Sequence, residues 1–196
     1  ICEPTIVSMA SGLSKVGLNP VVHTIAPFLI ERSFEQLKLG FEYERQSVNV
    51  VSVGSGFDYS QLGCTHHCYD DIALIRQLPS STIFVPGTSD EFSTMFRENY
   101  QAPGIKYFRL SEQSNLVSHI PSGGTSRVVK GTDVTVVALG TRLQAAVEAV
   151  KSITPSASCD VFFVNLVKPL DVSQIRASVA RTRRLVVVEE HSTVGG

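Results

Sequence analysis

Nine consecutive residues form the densest polar cluster of this sequence: Gly63-Cys64-Thr65-His66-His67-Cys68-Tyr69-Asp70-Asp71. Their types allow three readings. Metal binding is the first, since Cys64 and Cys68 flank two histidines and make four soft donors. The spacing argues against it: structural zinc favours two short ligand pairs separated in sequence, and adjacent histidines cannot easily aim at one ion. A substrate site is the second, with the histidines donating hydrogen bonds or moving protons. The third involves no chemistry: Asp70 and Asp71 open a helix, where the dipole favours a carboxylate.

Three further residues stand where chemistry is possible. Glu3 lies at a helix start, so it is either a cap or a catalytic acid. Phe28 follows Ala26-Pro27 at a strand-to-helix junction, where it can fill the core or offer a face to a ring ligand. Arg109 ends a strand that follows a Pro-Gly turn and could meet a phosphate. There is no G-x-G-x-x-G fingerprint after a strand, no Walker loop and no serine nucleophile elbow.

The elements that must position these residues alternate helix and strand. Ile6, Val7, Met9, Ala10 and Leu13 recur at helical spacing over residues 4–16, with Pro4 suited to a first turn and Gly17 and Pro20 ending the run. A short strand over 21–25 and a helix over 28–43 follow. Val48 to Val53 is a β-branched strand closed by Gly54 and Gly56. The pattern then predicts a helix over 68–77, a strand over 82–85, a helix over 88–100 capped by Thr88 or Ser89, and a strand over 105–110.

From Ser111 to Ser126 periodicity disappears, which predicts a linker. A second series has strands over 133–139, 160–166 and 184–189 and helices over 141–152 and 171–181. Its apolar runs suit parallel strands covered on both faces. The fold class expected is α/β, with two open, mostly parallel sheets and flanking helices. The domains expected are 1–110 and 127–196, joined by the linker 111–126. In a parallel sheet the cluster at 63–71 falls at the carboxyl edge of the strands, where ligands bind. The abrupt ends, and a second sheet of three strands, lead us to expect a piece of a larger unit, lacking sequence at both ends.

Composition sets the outer bounds. The chain has 196 residues, 43% hydrophobic and 18% charged, with a formal net charge of -1. Such a charge gives no field to attract nucleic acid or an acidic membrane, and no apolar run approaches the roughly 18 residues of a membrane span. The four cysteines are too few and scattered for a disulfide framework, so a reducing cytoplasm is expected.

Taken in order, these residues resemble the pyrimidine-binding domain of the transketolase family, which includes deoxyxylulose-phosphate synthases and the beta subunits of 2-oxo acid dehydrogenases. Ile1-Cys2-Glu3 is similar to the element that carries the family's catalytic glutamate. Thr24-Ile25-Ala26-Pro27-Phe28 resembles T-F-x-x-F, and Arg32-Ser33-Phe34-Glu35-Gln36 resembles R-A-F-E-Q. Gly63-Cys64-Thr65-His66-His67 matches the G-x-T-H-[HQ] loop, and Asp71 to Arg76 with Pro79 the helix after it. Lys106-Tyr107-Phe108-Arg109 resembles the R-Y-P-R strand end of the deoxyxylulose-phosphate synthases. Lys168-Pro169-Leu170-Asp171 and Glu189-Glu190-His191-Ser192 are similar to the family's C-terminal domain, as in separately encoded transketolase C-terminal subunits. The chain departs from the family at Gln61-Leu62, where an acidic pair is usual, at Ile25 and at Lys106.

The resemblance implies a thiamine diphosphate enzyme that transfers a two-carbon ketol unit between sugar phosphates. Deoxyxylulose-phosphate synthesis and a non-catalytic scaffolding subunit are the alternatives. It implies Glu3 and His66 as catalytic residues, and Glu3, Phe28 and Arg32 against the cofactor. His66, His67 and Arg109 would meet substrate. It implies no metal ligand in this chain: Mg²⁺ and the cofactor's diphosphate would be held by another domain or subunit, in a dimer or larger assembly.

Overall fold

The computed structural model describes residues 2–116, 124–154 and 156–196. The first sheet is built from β1 (Val21–Ile25), β2 (Val48–Val53), β3 (Ser81–Phe84) and β4 (Ile105–Arg109), which run parallel in the order β1-β2-β4-β3. Its helices are α1 (Glu3–Lys15), α2 (Ala26–Leu29), α3 (Phe34–Leu37), α4 (Asp71–Arg76) and α5 (Ser89–Asn99). Strand alternation divides the apolar residues between two faces. Val50, Ile83 and Tyr107 meet Val7, Leu37 and Ile75 on one face, while Val51, Phe84 and Phe108 meet Met95 and the rings of Phe92 and Phe96 on the other. Helices on both faces leave the carboxyl ends of the strands open to carry loops.

The second sheet contains β5 (Thr125–Val129), β6 (Val134–Leu139), β7 (Cys159–Val164) and β9 (Leu185–Val188) in the order β5-β7-β6-β9, with β5 antiparallel. It is flanked by α6 (Leu143–Ile153) and α7 (Ser173–Thr182). The same alternation places Val136, Ala138 and Phe163 against α6, and Val137, Phe162 and Val164 against α7. The fold class is the one expected. Leu185, Val186 and Val187 of β9 stay about half exposed.

The structure differs from the pattern reading in four places. The helix expected over 28–43 is divided into α2, α3 and a π-helical turn, Lys38–Tyr43. There Gly40 passes so close to α1 that a Cβ would come within 2.9 Å of Ser11. The helix expected over 68–77 starts at Asp71, because Cys68 is held in a backbone bridge with Gly56. Strand β5 begins within the expected linker, of which residues 117–123 lie outside the described residues. Finally, β8 (Leu166–Lys168) leaves the second unit and pairs antiparallel with β3, so both units share the first sheet. A three-residue strand has too few positions to show a period. Among the described residues no helix is long and apolar enough to cross a membrane.

Candidate functional site

Two loops at the carboxyl edge of neighbouring strands build the site. Strand β1 runs directly into α2, whose Pro27 presets the first helical turn. Ser33 Oγ donates to the Phe28 carbonyl at 3.0 Å and fixes the turn that follows. Strand β2 runs into the loop of residues 54–70. Gly63 there has φ +81°, the left-handed region a side chain would resist, and it opens the 3₁₀ turn Cys64–His66.

Four of the residues singled out in the sequence converge. Glu3, in the first turn of α1, is only 5% exposed. Arg32 Nη1 donates to Glu3 Oε2 at 3.1 Å. The same guanidinium lies over the Phe28 ring, 4.3 Å from its centroid. The His66 ring meets Phe28 edge-on with centroids 5.2 Å apart, and Thr65 Oγ1 lies 3.0 Å from His66 Nδ1, which restrains the imidazole. A carboxylate, a cation, an aromatic ring and an imidazole therefore share one surface.

His67 points elsewhere, into an aromatic group. Its ring meets Phe57 at 5.1 Å, and Phe57 stacks on Tyr69 at 5.4 Å. Among the described residues His67 Nε2 is buried without a hydrogen-bond partner, a deficit that a ligand oxygen would relieve. Cys68 is buried, and burial followed by the Asp71 carboxylate pushes its thiol far up, away from the thiolate a metal or electrophile needs. Cys64 is exposed. Among the described residues no group of three or more His, Cys, Asp or Glu is arranged to hold a metal.

Arg109 stands apart from this group. The resemblance implies that it meets substrate; the fold gives it internal partners and leaves it 6% exposed. Its Nε donates to Asp71 Oδ2 at 2.7 Å, and its Nη2 to the carbonyls of Glu190 at 2.8 Å and Cys68 at 3.4 Å. Tyr107 donates to the same Asp71 oxygen at 2.6 Å, and Ser52 Oγ lies 2.9 Å from Tyr107 Oη. Burial, the largest single influence, lowers the Arg109 pKa, but the charge and hydrogen bond of Asp71 together with Tyr107 and Cys68 raise it further and keep the guanidinium charged. Burial and then Asp71 raise the Tyr107 phenol, which stays protonated as a donor. Arg109 also lines a small cavity with Ser55, Ser111 and Arg142.

Comparison with known proteins gives the family and the fold. Residues 1–116 match the family model described as the transketolase pyrimidine binding domain, and residues 123–196 that of the transketolase C-terminal domain. The chain belongs to the transketolase family. One relative of this transketolase-family chain is an uncharacterized 33.6 kDa protein in the fasciation locus of Rhodococcoides fascians, 34% identical over 97% of this chain and 61% of the relative. Another is an apulose-4-phosphate transketolase subunit of Phocaeicola vulgatus, 30% identical over 100% of this chain and 65% of the relative. The 1-deoxy-D-xylulose-5-phosphate synthase of Rhodopirellula baltica is 29% identical over 100% of this chain and 31% of that protein. A solved split-gene transketolase, described as an inactive beta4 tetramer, superposes with TM-score 0.87 at 29% identity, covering 100% of this chain and 65% of that one. The transketolase of Leishmania mexicana, at 20% identity and TM-score 0.85, shares the fold. The chain thus spans less than two thirds of these relatives.

Pattern reasoning singled out the loop and left Glu3 open between cap and catalytic acid, and it did not name the partners that hold the loop from behind, Phe57 and Glu190. Gly56 was the available signal, for it has φ +58° and a Cβ there would strike Glu190 at 2.3 Å. Nothing in the sequence names the residue that occupies that space.

Proposed function

We propose that this chain supplies the pyrimidine-activating half of a thiamine diphosphate site that transfers a two-carbon ketol unit between sugar phosphates. The observation that carries the reading is the convergence of Glu3, Arg32, Phe28 and His66 on one surface. Those side chains fit an aminopyrimidine: a buried carboxylate to hydrogen-bond a ring nitrogen beside an aromatic ring to pack on it. The face of Phe28 under Arg32 is covered, so the ring would use the other face or displace an Arg32 side chain that is 48% exposed. Thiamine diphosphate, when bound, supplies a thiazolium carbon that becomes a nucleophile on losing a proton.

The chain's own residues have these tasks. Glu3 holds the proton at the pyrimidine nitrogen through its Oε atoms, and Arg32 keeps that carboxylate in place. Phe28 sets the plane of the ring. His66, restrained by Thr65, donates to the substrate oxygen as it gains charge. His67 offers Nε2 to a substrate hydroxyl, and Arg109 contributes from the wall of its small cavity. The cofactor's diphosphate and its Mg²⁺ belong to another domain or subunit, and the complete enzyme is at least a dimer working in the cytoplasm. The name of the Phocaeicola vulgatus relative, an apulose-4-phosphate transketolase subunit, supports both a phosphorylated sugar and a partner chain.

Deuterium exchange at the thiazolium carbon in the intact native assembly tests this reading. Fast exchange that collapses in Glu3→Gln is expected. Slow exchange in fully loaded wild type would instead favour a scaffolding chain. Deoxyxylulose-phosphate synthesis is the second reading, favoured by Lys106 to Arg109 and by the Rhodopirellula baltica relative. Product formation from pyruvate and glyceraldehyde phosphate, against ketose and aldose phosphates, separates the two.

A further inference from the structure

Glu190 and Phe57 are 133 residues apart, yet Glu190 Oε1 accepts the Phe57 backbone N–H at 3.2 Å. The Glu190 side chain also fills the space a Cβ on Gly56 would need, with its Cγ 2.3 Å from that position. Gly56 in turn exchanges both backbone hydrogen bonds with Cys68, at 2.8 and 2.9 Å, and so closes the base of the loop that carries His66 and His67. The Phe57 ring packs on His67 and Tyr69. Arg142 Nη2 stands 3.7 Å from Glu190 Oε2.

The residues after Glu190 hold the far end of the same loop, at Tyr69, and the helix α4 that follows it. Ser192 N donates to the Tyr69 carbonyl at 2.7 Å, the Ala73 N–H meets His191 Nε2 at 3.3 Å, and Arg76 Nη1 donates to the Gly195 carbonyl at 2.9 Å. From beneath, Arg109 Nη2 joins the Glu190 and Cys68 carbonyls. Contacts that served only to join the two units would not need to converge on both ends of one loop.

We propose that Glu190 is a positioning residue for the substrate-facing loop. It acts through the Phe57 backbone and Gly56, so the second sheet sets where His66 and His67 meet the sugar. This rests on the function proposed above. Glu190 touches none of Glu3, Arg32 or Phe28 in the contacts described, so its effect falls on substrate and not on cofactor activation.

The test compares wild type, Glu190→Ala and Glu190→Gln in the intact native enzyme. In Glu190→Ala, amide exchange at Gly56, Phe57 and Cys68 is expected to speed up by roughly 10-fold or more, as for a lost hydrogen bond to a charged group. KM for the sugar-phosphate donor should rise by a similar factor, with deuterium exchange at the thiazolium carbon unchanged. Glu190→Gln keeps an oxygen acceptor and should restore most of both. If Glu190→Ala does not assemble, Phe57→Leu takes its place: it keeps the backbone N–H, loses the ring on His67, and should raise KM while amide exchange at Gly56 stays slow. Unchanged amide exchange in Glu190→Ala overturns the proposal, as does an unchanged KM in either variant. If wild type shows no thiazolium exchange, the function proposed above fails, and the amide exchange alone decides whether Glu190 positions the loop.

Discussion

Arg32 and Glu3 form an ion pair across 29 residues, Nη1 to Oε2 at 3.1 Å, between a buried carboxylate and a guanidinium 48% exposed. The two partners should therefore differ in consequence. Under the function proposed above, Glu3→Gln removes the proton carrier and should lower turnover by roughly 10²- to 10⁴-fold, the range for acid–base catalysis. Arg32→Ala removes a solvent-screened partner, for which about 0.2–1 kcal/mol is typical, so turnover should fall less than about 10-fold. Steady-state kinetics of both variants check this. Equal losses would give Arg32 a direct part in the chemistry.

Asp71 and Arg109 are both buried, and Asp71 also accepts from Tyr107. Asp71→Asn leaves a buried guanidinium without its counter-charge. A loss of about 3–5 kcal/mol is expected, as for breaking a buried pair at one end. Tyr107→Phe keeps the ion pair and should cost less, roughly 1.5–3 kcal/mol. Urea unfolding of both variants measures this. A near-neutral Asp71→Asn would mean that water reaches Arg109.

Lys106 is almost fully buried in β4, with Nζ 2.5 Å from the Ala102 carbonyl, and burial lowers its pKa from 10.5 to about 8. Between those values the unfolded chain holds a proton that the folded chain has released, so this residue's contribution to stability rises with pH across that window. Below it, both states are charged and the full cost of burying the ammonium remains. Lys106→Met should thus be more stable than wild type at neutral pH, with an advantage that shrinks towards pH 10. Denaturant midpoints at a series of pH values decide it. A constant difference between the two proteins would remove Lys106 as the cause.

Asn115 joins the two units through its side chain. Nδ2 donates to the Gly140 carbonyl at 3.1 Å, and Oδ1 accepts the Gln144 N–H at 3.1 Å, near the start of α6. Asn115→Ala takes the side-chain acceptor from the Gln144 N–H, while the Gly140 carbonyl keeps the Leu143 N–H, and should cost about 1–3 kcal/mol. Thermal unfolding measures this. An unchanged midpoint would mean that water replaces the Asn115 side chain at both groups.

Much of the fold could be read from local pattern. The β-branched runs of β2 and β6 need two covered faces, which parallel sheets between helices provide, whereas the similar run of β9 stays about half exposed. Pro4, Pro27 and Thr88 mark helix starts by their own chemistry: Thr88 accepts the Glu91 N–H at 3.2 Å, as its type suggested. The break in the 28–43 helix was not readable, because close passage against Ser11 forces it and the apolar spacing runs straight through. Strand β8 was missed because three residues carry no period.

The sequence by itself determined which residues could do chemistry and the order in which the chain presents them. Glu3, Phe28, Arg32 and His66 stand in elements whose starts are fixed by proline, glycine and apolar spacing. Only the tertiary structure decided which of them meet. It brought those four together and turned His67 towards Phe57. It drew Arg109 inward to Asp71 and brought Glu190 across 133 residues to Phe57. Periodicity reports only which side of an element faces apolar neighbours. The partner of a buried charge or an unpaired N–H is set by which chain segment the folded sheet lays beside it.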